Sequence, residues 1–193
     1  MDNAKTWEAV ASEFAAARSG VGSEIVRQWA SGLRPGSEVV DIGCGSGVPI
    51  SQALINAGFT VFGIDASPTL LAMFCQRFPQ ARARCETIQS STLFDRKFDA
   101  AVAVGLLFLL SASDQRRMID KIGQALRPGG RFLFSAPRTQ CEWRDIQTGQ
   151  LSLSLGEVEY RNMLNTAGML LSNAYVDKGG NHYFDAVLTR GEE

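Results

Sequence analysis

The chain has 193 residues, the size of one domain, and is long enough to bury a core without a metal or disulfide staple. Its 45% apolar and 20% charged residues exclude a disordered chain. Lys and Arg number 19 against 20 Asp and Glu, a net charge of −1, which argues against nucleic acid as a partner held by whole-domain charge.

The Ala-rich stretch Trp7–Ala17 predicts a helix, and Ser23–Ala30 a second with Ile25, Val26, Trp29 and Ala30 on one face. Ser19–Gly22 separates them and Arg34-Pro35-Gly36 turns the chain. Glu38–Ile42 predicts a first strand, followed by Gly43-Cys44-Gly45-Ser46-Gly47 and a helix that opens near Pro49 and ends at Gly58. Thr60–Asp65 predicts the second strand. Ser67-Pro68 is an N-cap and first-turn pair for a helix reaching about Phe78. Arg82–Glu86 predicts a weak third strand, and Phe98–Val104 a fourth that is apolar on both faces.

Met118, Ile119, Ile122, Ala125 and Leu126 have helical spacing, stopped by Arg127-Pro128-Gly129-Gly130, and Arg131–Ala136 is the fifth strand. Pro137–Leu155 shows no clear period and reads as a long functional loop. Glu157–Ala167 is a helix. Met169–Asp177 and His182–Thr189 pair as a hairpin across Lys178–Asn181. Strand-helix alternation of this kind builds a parallel sheet with helices on both faces. A single domain is expected, with residues 1–35 as a helical cap on a core of residues 36–193.

No apolar run reaches the ~18 residues of a membrane span, and the first residues lack the basic and apolar regions of a secretory signal. Cys44, Cys75, Cys85 and Cys141 form no Cys-x-x-Cys pair, as in a reduced cytoplasmic protein with no metal site.

The strongest chemical signal is Val39–Gly47. Glycines after a first strand let backbone approach a ligand, and the next helix aims free N–H groups at it. The spacing is Gly-x-Gly-x-Gly. A dinucleotide fingerprint would need glycine where Val48 stands, which counts against a nicotinamide dehydrogenase, as does the absence of a Tyr-x-x-x-Lys pair at Tyr160. Asp65 ends the second strand about 20 residues on, where a carboxylate can take ribose hydroxyls.

In this order, Val39–Gly47, Thr60–Asp65, Phe98–Val102 and Leu126–Arg131 resemble the class I S-adenosylmethionine-dependent methyltransferases. The resemblance covers about residues 36–136. It implies a three-layer α/β Rossmann-like sandwich with a seven-stranded sheet of order 3-2-1-4-5-7-6, its last strand antiparallel. It also implies S-adenosyl-L-methionine as cofactor. Gly43, Cys44 and Gly45 would lie along the methionine part, with Asp41 orienting the loop. Asp65 would hold the ribose, with Ala66, Glu86, Thr87 and Ile88 around the adenine and Val104 beside the sulfonium. Glu86 stands where the family usually has Asp, and reads either as an adenine contact or as a strand-end surface acid. Cys44 reads as a packing residue sooner than a nucleophile.

Ligands of open α/β sheets bind outside the carboxyl ends of the strands. The loop after strand five brings Arg138 and Trp143 to that side. The final hairpin is expected to bring Asn181, His182 and Tyr183 there, with His182, the only histidine, as candidate catalytic base or substrate contact. By the resemblance, an N-terminal lid would place Phe14 and Arg18 over the site. Phe108 reads as core or as substrate wall. A small-molecule O, N or S acceptor is the leading expectation. A protein or tRNA methyltransferase and a non-catalytic cofactor-binding module stand as alternatives. The sequence leaves the acceptor and the oligomeric state open.

Overall fold

The computed structural model describes residues 3–17 and 20–189, with the side chains of residues 3–5 outside the description. In chain order the elements are α1 (Asn3–Ala9), α2 (Ala11–Ala17), α3 (Ser23–Ala30), β1 (Glu38–Ile42), α4 (Ile50–Asn56), β2 (Thr60–Asp65), α5 (Pro68–Arg77), β3 (Arg82–Cys85) and β4 (Phe98–Ala103). There follow α6 (Ala112–Ala125), β5 (Leu126–Ser135), β6 (Cys141–Arg144), β7 (Leu151–Ser154), α7 (Glu157–Thr166), β8 (Met169–Val176) and β9 (His182–Leu188).

Seven strands form one sheet of order β3-β2-β1-β4-β5-β9-β8. Strand β9 runs antiparallel to both β5 and β8, while the other neighbouring pairs are parallel. With the sheet's strands alone counted in chain order, this is the 3-2-1-4-5-7-6 order that the resemblance implies.

Side chains alternate across a strand, so each central strand feeds two cores. Val40, Phe62, Ala101, Phe132, Phe134 and Phe184 face α6 and α7, meeting Met118, Ile119, Ile122, Tyr160 and Leu164. Val39, Val61, Ala100, Val102 and Leu133 face α3, α4 and α5, meeting Val26, Trp29, Leu54 and Phe74. Helix α3 is therefore a packed layer of the sandwich, although the sequence places it in a cap. It is anchored by a buried ion pair. Arg131 Nη2 donates to Asp185 Oδ2 at 2.6 Å, and Trp29 Nε1 donates to Asp185 Oδ1 at 3.0 Å.

Three elements depart from the sequence reading. The N-terminal helix breaks at Val10 into α1 and α2. Strand β5 starts at Leu126, because Leu126 pairs with Phe98 before a bulge. The supposed loop 137–155 contains the two-stranded hairpin β6–β7, closed by Asp145, whose Oδ1 accepts the N–H groups of Gln147 and Thr148. Among the described residues no helix is long and apolar enough to cross a membrane.

Candidate active site

The loop after β1 folds back on the end of β2. The N–H groups of Gly43 and Cys44 donate to Ile64 O at 2.8 and 3.0 Å. Gly43 and Gly45 have φ of +73° and +54°, a region glycine enters freely. A Cβ on Gly43 would sit 3.2 Å from Leu106 and narrow the space above the loop. Gly47 serves packing, since a Cβ added there would run into the rings of Phe78 and Phe74.

Asp65 clamps this loop to the next helix. Its Oδ2 accepts Gly45 N–H at 2.7 Å and its Oδ1 accepts Ser67 N–H at 2.8 Å. Burial raises its pKa above the ordinary aspartate value, and the nearby Glu8 charge adds to that, against the two N–H bonds. Asp41 is buried, and its Oδ2 accepts Ser51 Oγ–H at 2.5 Å. Burial, and then the Asp41 and Asp65 charges, push the Cys44 thiol well above its usual pKa, which suits packing and opposes thiolate chemistry.

These residues line a cavity of about 660 Å³, a volume typical of small-molecule sites. At one end stand Asp41, Gly43, Cys44, Gly45, Asp65, Ala66, Glu86, Thr87 and Ile88, with Val104 at the floor. Glu86 Oε1 accepts Ser91 Oγ–H at 2.7 Å. Phe14 lines the cavity together with Trp7, whose ring packs edge-on against it with centroids 5.4 Å apart. Arg18 lies outside the described residues.

The arm carrying Trp7 is pinned by Glu8. Its carboxylate accepts the hydroxyls of Ser67 and Thr69 at the start of α5, and these bonds hold its pKa below the usual glutamate range. Trp7 Nε1 is buried without a hydrogen-bond partner.

The other candidates lie apart from the cavity lining. Phe108 and Trp143 pack against each other with tilted rings, centroids 5.3 Å apart. Arg138 is an exposed side chain bonded to Glu157 at 2.6 Å. Asn181 and Tyr183 are held by Asp177, with Tyr183 O–H donating to Asp177 Oδ2 at 2.8 Å and Asn181 Nδ2 at 3.0 Å. His182 pairs with Val176 across β8–β9, and its carbonyl accepts Ala136 N–H at 3.2 Å. The final hairpin is expected at the mouth, and none of Asn181, His182 and Tyr183 is among the residues lining the cavity. Its turn is on the predicted edge, but β9 and β8 lie beyond β5, whereas the cavity lies over β1, β2 and β4.

Sequence reasoning missed Trp7, Leu106, Ser111, Asp114, Gln150, Leu151 and Leu153, which also line the cavity. The alternation Leu151-Ser152-Leu153-Ser154 was the available signal for the last two. Among the described residues no group of three or more His, Cys, Asp or Glu could hold a metal ion.

A parallel sheet with a glycine loop after β1 and a carboxylate closing β2 defines a Rossmann-like domain built for a nucleoside-bearing cofactor. Residues 39–130 match the family model described as methyltransferase domain. A ubiquinone biosynthesis O-methyltransferase of Coxiella burnetii is 32% identical over 104 residues, 52% of this chain and 43% of that protein. A demethylmenaquinone methyltransferase of Tropheryma whipplei is 32% identical over 119 residues, 55% of this chain and 46% of that protein. The match thus spans less than half of either relative. Among solved structures, the Burkholderia thailandensis 1,6-didemethyltoxoflavin-N1-methyltransferase, with bound 1,6-didemethyltoxoflavin and S-adenosylhomocysteine, has the same fold. It superposes with a TM-score of 0.74 at 19% identity, covering 94% of this chain and 88% of that one. Under half of this chain thus resembles a methyltransferase domain in sequence, and nearly all of it shares the fold of a methyltransferase crystallised with S-adenosylhomocysteine.

Proposed function

We propose that the chain binds S-adenosylmethionine in this cavity and transfers its methyl group to a small-molecule O, N or S acceptor by in-line displacement. The observation that carries the reading is one continuous cavity. It joins the Gly43–Gly45 backbone, Asp65 and the Glu86–Ile88 edge to a chamber walled by Leu106, Leu109 and Leu151. The residues fit the cofactor. The left-handed glycines leave room above the loop, Asp65 keeps lone pairs for the ribose hydroxyls, and Ala66 and Ile88 offer a flat apolar contact to the adenine.

The cofactor supplies an activated methyl group. The chain's task is alignment and exclusion of water. Asp65 holds the ribose, Asp41 stabilises the loop through Ser51, and Trp7 and Phe14 cover the opening. No proton-transfer role is proposed for His182.

The test is S-adenosylhomocysteine calorimetry, followed by incubation of cofactor labelled in its methyl group with a cell extract and ultrafiltration. Micromolar binding and label in the small-molecule filtrate are expected. Label retained on protein or RNA would replace the small-molecule reading with the macromolecular one. Binding without label in either fraction would favour a non-catalytic module.

A further inference from the structure

Two walls of the chamber come from segments far apart in sequence. One is the turn Leu106–Leu110 after β4, and the other is β7. Between them, on α6, sits Gln115 with no exposed surface. Its amide is fully used. Nε2 donates to Leu110 O at 3.1 Å and to Leu153 O at 3.1 Å, and Oε1 accepts Tyr160 O–H at 3.0 Å. Tyr160, also fully buried, accepts Leu155 N–H at 3.1 Å. One buried amide thus ties the backbone of both walls, and Tyr160 fixes that amide and the end of β7. The Phe108–Trp143 contact ties the same turn to β6, the hairpin partner of β7.

The chemistry of the gap is one-sided. Leu106, Leu109, Leu110, Leu151 and Leu153 supply its apolar surface. The charged side chain at this end is Asp114, which accepts Ser111 Oγ–H at 2.9 Å and lies 3.7 Å from Arg117. Among the described residues lining the cavity none is Lys, Arg or His, while Asp41, Asp65 and Glu86 add three more carboxyl groups. A carboxylate or phosphate entering here would lose water and meet no counter-charge among those residues, which is costly.

We propose that the acceptor is an uncharged, largely apolar molecule gripped between the 106–110 turn and β7, and that Gln115 is the positioning residue that sets the gap. The inference rests on the cofactor reading above and adds the acceptor's chemical class and the group that gauges its fit.

The test uses 2-naphthol and its anionic counterpart naphthalene-2-carboxylate as probes, titrated by calorimetry into the full chain with and without saturating S-adenosylhomocysteine. Cofactor-product binding, measured first, reports separately on the cofactor reading. The neutral probe should bind and the carboxylate should bind at least tenfold more weakly. Gln115→Met should weaken 2-naphthol by about fivefold or more, the scale of one hydrogen-bonded support lost, while S-adenosylhomocysteine affinity stays within about twofold. Tyr160→Phe, which keeps the ring in the core, gives the same split if Gln115→Met does not fold. Equal or tighter binding of the carboxylate, no 2-naphthol binding at millimolar concentration, or equal losses for probe and cofactor product in a folded variant would each overturn the proposal.

Discussion

Replacing Asp65 by Asn tests the cofactor reading through two observables at once. The carboxylate accepts Gly45 N–H at 2.7 Å and Ser67 N–H at 2.8 Å, and in the proposed complex it also accepts the ribose hydroxyls. Hydrogen bonds to a charged group contribute about 1.5–3 kcal/mol each, against about 0.5–1.5 for neutral pairs. Asn removes the charge and turns an amide donor toward one of the N–H groups. A net loss of about 1–3 kcal/mol follows, or roughly 5- to 150-fold in S-adenosylhomocysteine affinity. The pH profile carries the second observable. Burial holds the ligand-free Asp65 pKa above the ordinary aspartate value, and hydroxyl donors favour the ionised form. Wild-type affinity should therefore fall on acidification, starting at a higher pH than an ordinary aspartate would require, and Asp65→Asn should lose that component. For the ligand-free protein the sign is opposite. The folded state holds the Asp65 proton more tightly than the unfolded one, so this group's contribution to stability declines as pH rises from the ordinary value through the raised one. Calorimetry from pH 7 to pH 4.5, with circular dichroism to confirm folding, reads both. A folded variant with wild-type affinity, or wild-type and variant profiles that coincide, would refute the ribose assignment.

Asp185→Ala should destabilise the fold by about 3 kcal/mol, the low end for breaking a buried pair, because the Arg131 side chain is 18% exposed and can partly rehydrate. The urea midpoint measures this, and a shift under about 0.5 kcal/mol, the level of an ordinary surface change, would contradict the anchoring of α3. Glu8→Gln should speed S-adenosylhomocysteine release with little change in thermal midpoint, since it loosens the arm that carries Trp7. Stopped-flow tryptophan fluorescence follows the release, and an unchanged rate would show that the Ser67 and Thr69 contacts do not hold the arm over the ligand.

The sheet was legible in the sequence because its signals are local. Val39, Val40 and Ile42 mark a strand directly before a glycine loop, Ser67 caps α5 by accepting Leu70 N–H at 3.1 Å, and Gly58 follows α4. Each is a contact between near neighbours, so residue type and spacing suffice to read it. Alternation and crossover handedness give a parallel sheet with helices on both faces, whereas the order of its strands, and with it the cavity-facing ends of β1, β2 and β4, is legible only through the resemblance to the methyltransferase family. Hairpin β6–β7 escaped because its strands are four residues each, too short for a period to stand out within a polar stretch.

The acceptor end is harder to read for a different physical reason. Gln115 sits on a helix between Asp114 and Arg116, where a polar residue normally faces water, yet it is completely buried. Its burial is tolerable only because Leu110 O, Leu153 O and Tyr160 O–H, 5, 38 and 45 residues away, satisfy all of its amide. His182 shows the converse, a candidate by residue type that is absent from the cavity lining. Its residue type suits proton transfer, but the sheet order sets β5 between its strand and β4. Residue chemistry alone nominates candidates. Which of them can share a substrate is decided by contacts between distant segments, and in this chain those contacts converge on the amide of Gln115.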